Sequence, residues 1–157
     1  MTSDTRATYW HTQKGPWSVL LYALGAIMVA LAWFLRQEPI VPVILPVAGL
    51  VMLVLGASFD RLTGANEGDR LAIRFGFLPL FRKHIGYADI QTVDIGRTSL
   101  LDGWGVHLSL KGGWVWNIWG WDCVVIRHGG TTRVGTDDAE KLAAFLRTRI
   151  PVTAGHE

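Results

Sequence analysis

The sequence predicts an α+β protein: two apolar helices that form a transmembrane hairpin, then a strand-rich domain closed by one amphipathic helix. Three observations lead there. Two stretches, Trp17–Leu35 and Ile40–Ser58, contain no charged residue. From Arg70 onward apolar residues recur with a period of two. In the last segment Leu142, Phe145, Leu146 and Ile150 recur at helical spacing, with Pro151 just beyond.

Each apolar stretch holds 19 residues. At 1.5 Å per residue that spans roughly 28 Å, close to the hydrocarbon thickness of a bilayer, about 30 Å. The turn Arg36-Gln37-Glu38-Pro39 separates them and forbids one continuous helix. Trp33 and Phe34 beside Arg36 form an interfacial anchor at the far end. Pro42 and Pro46 lie in the first turns of the second span, where missing amide donors do least harm. Gly25, Ala26, Ala30, Gly49 and Gly56 offer small surfaces for close helix contact, although no GxxxG lies within either span. A soluble helix would carry a polar stripe, and a signal peptide has a shorter apolar core and seldom a second span behind it.

Composition excludes some function classes. Mean hydropathy is +0.27 and only 18% of residues are charged. Counted from Asp60, twelve Lys/Arg stand against eleven Asp/Glu, so the segment after the hairpin is nearly neutral. A nucleic-acid binder draws its affinity from phosphate neutralisation and would show a basic excess. Cys123 is the single cysteine, which excludes an intrachain disulfide and suits a reducing compartment. Arg6 and Lys14 precede the first span and Arg61, Arg70 and Arg74 follow the second, against Arg36 in the turn. This bias places both termini in the cytoplasm, in a multi-pass protein of the inner, cytoplasmic membrane.

The expected organisation is a cytoplasmic tail (1–16, interfacial near Tyr9-Trp10), the hairpin (17–58), a polar linker (59–69), a domain (70–150) and a second tail (151–157). In the domain Leu71, Ile73 and Phe75 alternate with polar partners as a first strand, and Phe81–Ile85 make the second. Tyr87 to Ile95 lead into a third, and Val106, Leu108 and Leu110 mark a fourth. Gly112-Gly113 and Gly129-Gly130 read as hairpin turns between later strands at Trp114–Trp119, Asp122–Arg127 and Thr131–Val134. Thr136-Asp137-Asp138 opens the final helix, its acids suited to the helix dipole. The count is about seven strands and one helix.

Residues with chemical potential form no catalytic pattern. Cys123 and His128, five apart, point to opposite faces of a strand, and no metal-binding spacing such as C-x-x-C or H-E-x-x-H occurs. Asp137, Asp138 and Glu140 are explained by a helix start. Ser99, Asp102 and His107 have the residue types of a triad without its sequence context. No glycine pattern places a phosphate loop between a strand and a helix. No enzyme activity, cofactor or metal is expected. Two features remain as candidate sites. Trp104, Trp114, Trp116, Trp119 and Trp121 crowd one stretch; alternate members fill a core, and the rest form a contact surface for the bilayer interface or a protein partner. Because Trp119 differs in parity from Trp114 and Trp116, a regular strand cannot bury all three on one side. Arg74, Arg82 and Lys83, with His84 beside them, surround the first hairpin, either as a solvated edge or as contacts for anionic headgroups.

The passage Arg74-Phe75-Gly76, then Ile85-Gly86-Tyr87-Ala88-Asp89-Ile90-Gln91-Thr92-Val93, resembles the bacterial pleckstrin-homology-like (PH-like) membrane proteins, whose pattern reads I-x-Y-x-x-I-x-x-V. Arg97 to Gly105, Gly112-Gly113-Trp114 with Asn117, and Val134 to Asp138 resemble blocks of one subgroup of that family. The likeness covers roughly residues 59–150. It implies a bent, seven-stranded antiparallel β-barrel capped by the C-terminal helix, with no enzyme activity. It also implies headgroup contacts at basic residues of the first hairpin, where only Arg74, Arg82 and Lys83 are present and their spacing departs from the family's. The expected role is a non-enzymatic, membrane-anchored interaction module that docks a protein partner or the bilayer surface. The alternatives are a sensor of anionic lipid headgroups and an accessory subunit of a membrane enzyme or transport complex.

Overall fold

The computed structural model describes residues 8–78, 80–98 and 103–150. Strand β1 (Trp10–Lys14) precedes helices α1 (Trp17–Phe34) and α2 (Val41–Ser58). Strands β2 (Arg61–Asn66), β3 (Arg70–Phe75) and β4 (Arg82–Gly86) follow. A 3-10 turn at Tyr87–Asp89 leads to β5 (Thr92–Arg97), β6 (Gly105–Leu108), β7 (Trp114–Asn117), β8 (Asp122–Arg127) and β9 (Thr131–Gly135). Helix α3 (Ala139–Arg147) is last.

The two apolar helices pack on each other through their smallest residues. A side chain on Gly25 would meet the Gly49 carbonyl oxygen at 2.9 Å, and one on Gly49 would meet the Gly25 oxygen at 2.8 Å, so the backbones touch there. Bare glycine is what permits that approach. Buried along the two helices are Ser18, Gly25, Ala32, Gly49, Gly56 and Ser58, while Val19, Leu20, Val43, Ile44, Val47 and Leu50 face outward. Pro42 occupies the start of α2 and Pro46 lies inside it. At the far turn the Arg36 guanidinium lies 4.8 Å from the centre of the Trp33 ring, a cation–π contact. Both helices are long and apolar enough to cross a membrane.

The strands form two sheets, in the orders β1-β2-β3-β4 and β5-β8-β9-β7-β6. The expected seven-stranded antiparallel barrel is therefore corrected on two points. Nine strands are present among the described residues, and they form open sheets of four and five instead of a closed barrel. The 3-10 turn at Tyr87–Asp89 interrupts the chain between β4 and β5, and no ladder joins the sheets there. Within the second sheet β7 and β9 pair in parallel; the other ladders are antiparallel.

The two additional strands come from segments expected to be irregular. The N-terminal tail supplies β1 and the polar linker supplies β2, paired from Trp10 opposite Ala65 to Lys14 opposite Arg61. Their sequences, WHTQK and RLTGAN, lack a clear two-residue alternation; β1 pairs with β2, and β2 pairs with β3. Tyr9, just ahead of β1, stacks on Phe145 of α3 with ring centres 5.3 Å apart, and its burial pushes the phenol pKa up. The N-terminal segment thus joins the core. Tails 1–7 and 151–157 lie outside the described residues.

The core lies between the sheets and α3. Leu71, Ile73, Phe75 and Ile85 come from the first sheet, Val93, Trp116, Val124, Ile126 and Val134 from the second, and Leu142, Phe145 and Leu146 from the helix. At the helix start Thr136 accepts a hydrogen bond on its Oγ1 from the Asp138 amide, 3.1 Å. Asp138 itself is the N-cap residue, two positions after Thr136.

Candidate interaction surface

The tryptophan stretch separates into three environments. Trp116 is buried, 5.9 Å from Phe75 between ring centres. Its neighbours Val115 and Asn117 are fully buried as well, so β7 is covered on both faces and simple parity does not sort its side chains.

Trp104, Trp119 and Trp121 form the second group, gathered on Trp17, the first residue of α1. The Trp104 and Trp119 rings stack at 5.1 Å. Trp17 lies 5.4 Å from Trp104 and 6.2 Å from Trp119, and Trp121 lies 6.3 Å from Trp104. All four stay about two-fifths exposed, between 39% and 42%. Chain geometry brings them together: Trp104 immediately precedes β6, Trp119 follows β7, and Gln13 of β1 donates from Nε2 to the Trp119 carbonyl at 2.9 Å. Beside this cluster an open cleft of about 830 Å³ separates the foot of the hairpin (Trp17, Leu21, Phe59) from Val106, His107 and Ile118.

Trp114 is the third environment. It pairs across the ladder with Leu108 at the other end of the β6–β7 hairpin, and Leu108, Leu110 and Trp114 are exposed at 65%, 85% and 43%. With about 3.3 Å per strand residue, this tip stands on the order of 10 Å from the cluster on Trp17.

The basic candidates also separate. Arg74 is ion-paired with Glu67, which also lies 3.5 Å from Arg70 and 3.4 Å from His84, so its charge is directed back along the sheet. Arg82, opposite Arg74 in the ladder, is exposed. Lys83 lies beside the glycine turns Gly112-Gly113 and Gly129-Gly130 and beside His128. Burial holds its ammonium below the usual lysine range. The three do not converge on one site.

The remaining sequence candidates have ordinary surroundings. His11 lies 2.5 Å from Asp137 and 3.7 Å from Asp138, tying β1 to the start of α3. Cys123 is buried. His128 shares a 2.8 Å hydrogen bond with the Thr132 hydroxyl. Ser99 and Asp102 lie outside the described residues, whereas His107 borders the cleft. Among the described residues no group of three or more His, Cys, Asp or Glu is arranged to hold a metal ion. Sequence reasoning placed a turn at 77–80 without singling it out as a surface; it is apolar and exposed, with Phe77 and Leu80 at 75% and 63%. Its signal was present as Phe77-Leu78-Pro79-Leu80-Phe81, an apolar run where a turn is normally polar. Comparison of the chain with family models and with curated proteins finds no match in either.

Proposed function

We propose that the protein is a non-enzymatic, membrane-anchored interaction module. Its hairpin crosses the cytoplasmic membrane with both termini inside, and its strand-rich domain rests on the inner surface. The observation that carries this reading is the packing of Trp104 and Trp119 on Trp17, the opening residue of the first apolar helix, with Trp121 against Trp104. Tryptophan favours the headgroup level of a bilayer, so the cluster sets the domain directly at the foot of the hairpin. The burial pattern supports the span: large apolar side chains face outward and small ones inward, the reverse of a helix in a soluble core.

With one tryptophan group at the membrane, Leu108, Leu110 and Trp114 on the outer hairpin are the surface offered to a protein partner. An apolar tip held away from the bilayer suits such docking. Kinship with the PH-like membrane proteins belongs to the same proposal and is supported by the order hairpin, strands, C-terminal helix. A sensor of anionic headgroups is less well supported, because Arg74 is already paired with Glu67 and Lys83, next to Arg82 in β4, alternates with it across the strand. An accessory role in a membrane enzyme or transport complex is one form that partner docking takes.

Photo-crosslinking residues placed at positions 104 and 110 of the full-length protein in cells test the reading. Label at 104 should transfer to lipid. Label at 110 should give a discrete protein adduct that Leu108→Ser with Trp114→Ser abolishes. Lipid adducts at both positions, or no adduct at 110, would remove the partner surface. A reporter fused after Glu157 should be active only as a cytoplasmic fusion.

A further inference from the structure

We infer that the turn between β3 and β4 is a second, shallow membrane contact, in which Phe77, Leu78 and Leu80 enter the bilayer beside the end of α2. This rests on the proposed membrane hairpin and adds a lipid-binding element to it. Exposure is the first observation: Phe77, Leu78, Leu80 and Phe81 form an apolar turn that the protein leaves uncovered. Position is the second. The Phe77 amide donates to the Ala57 carbonyl in the last turn of α2, 3.0 Å, so the turn stands level with the end of the span. Gly76, at φ +72°, makes this approach possible. A side chain there would lie 2.4 Å from the carbonyl oxygens of both Ala57 and Ser58, and L side chains rarely adopt that backbone region.

The turn is also braced from behind. Phe81 packs on Phe59, the residue that ends α2, with ring centres 5.6 Å apart, and Phe59 packs on buried Phe75 at 5.5 Å. The aromatic stack anchors the Phe81 side of the turn to the end of α2. Arg82 follows directly and is exposed, placing a cation where an inserted turn would meet phosphate groups. Continuity with the membrane-facing end of α2 is what identifies the occupant as lipid. Interfacial elements of this kind bury about 5–10 Å into the boundary between headgroups and chains.

The test uses full-length protein reconstituted in phosphatidylcholine–phosphatidylglycerol vesicles. An environment-sensitive fluorophore is attached at Phe77→Cys, with Val29→Cys inside the span and Leu110→Cys at the outer tip as references. The Phe77 probe should emit at blue-shifted wavelengths. It should be quenched more by lipids carrying a nitroxide near the headgroup than by lipids carrying it in mid-chain, and Leu78→Glu with Leu80→Glu should weaken that quenching. Water-like emission with quenching by iodide would overturn the inference, as would shielding from both quenchers, which would mean that protein covers the turn. If the Val29 probe remains lipid-quenched in those cases, the hairpin stands and only the turn is refuted. Loss of lipid quenching at Val29 would remove the hairpin and this contact together.

Discussion

The hairpin and the domain solve the same packing problem with opposite arrangements. In the domain, the fully buried side chains are large, such as Leu71, Ile73, Phe75 and Ile126, and the charged residues face out. In the hairpin the contact is made by Gly25, Gly49, Gly56 and Ala32, while Val19, Leu20, Ile44 and Leu50 are exposed. Burial of apolar area drives the first arrangement, at roughly 25 cal/mol per Å². In the proposed bilayer it would not drive the second, because lipid chains are as apolar as leucine, and close backbone contact would hold the helices instead. Under the proposed membrane placement, the tryptophans on Trp17 mark where the two solvents meet.

Variants that strike one region at a time sharpen this contrast. Phe75→Ala empties the centre of the domain and should cost about 3–5 kcal/mol. Denaturant titration of the protein in bicelles should show the domain unfolding earlier while the hairpin stays helical. Gly49→Val acts on the other side. Its new side chain meets the Gly25 carbonyl and Val29, and overpacking of this kind costs about 1–3 kcal/mol. Steric-trap unfolding in bicelles should show weakened helix association with the domain midpoint unchanged. Equal loss of the domain midpoint in both variants would mean that the two regions do not fold separately.

Trp104→Ala attacks the joint. It removes the stacking on Trp119 and the contact with Trp17, worth about 0.5–1.5 kcal/mol for an aromatic pair. Faster amide exchange at residues 15–18 and 105–108, with slow exchange kept in β8, is the expected outcome.

The smallest effect concerns pH. Burial, then the nearby Lys83, holds the His128 pKa below its ordinary 6.5. The unfolded chain therefore takes up a proton that the folded protein resists. The associated stability is complete above pH 6.5 and is lost as pH falls toward the folded-state value. Thermal melts between neutral and mildly acidic pH should show a shallower acid decline in His128→Gln.

The hairpin was legible in the sequence because a charge-free run of bilayer length has few readings. Its helices end within about one residue of the expected limits. The strands from Leu71 to Val134 and the last helix were legible through period and turn glycines. Strands β1 and β2 were not. Thr12, Gln13, Thr63 and Gly64 carry no apolar alternation, and the segments become strands because the 42-residue hairpin between Pro16 and Phe59 returns the chain beside its start. That proximity is a tertiary fact, invisible to a local pattern. The expected count of seven strands fell short for the same reason, since it was made by local periodicity. Of the tryptophans, parity did not separate Trp116 from Trp119, because Trp119 lies beyond the end of β7. The exposure of Trp114 beside buried Trp116 was not legible either, because coverage of both faces of β7 depends on neighbours distant in sequence. The Glu67 partner of Arg74 was likewise hidden behind a turn.

The central claim is that two helices with outward-facing apolar side chains cross a bilayer and set the tryptophan cluster at its surface. Nitroxide labels placed one at a time at Trp17, Leu20, Ile27, Leu31 and Phe34 of the reconstituted protein test it most directly. Oxygen accessibility should peak at Ile27 and fall toward both ends, with access to a water-soluble nickel chelate showing the inverse profile. A flat profile, with nickel access at Ile27 equal to that at Trp17, would contradict the account.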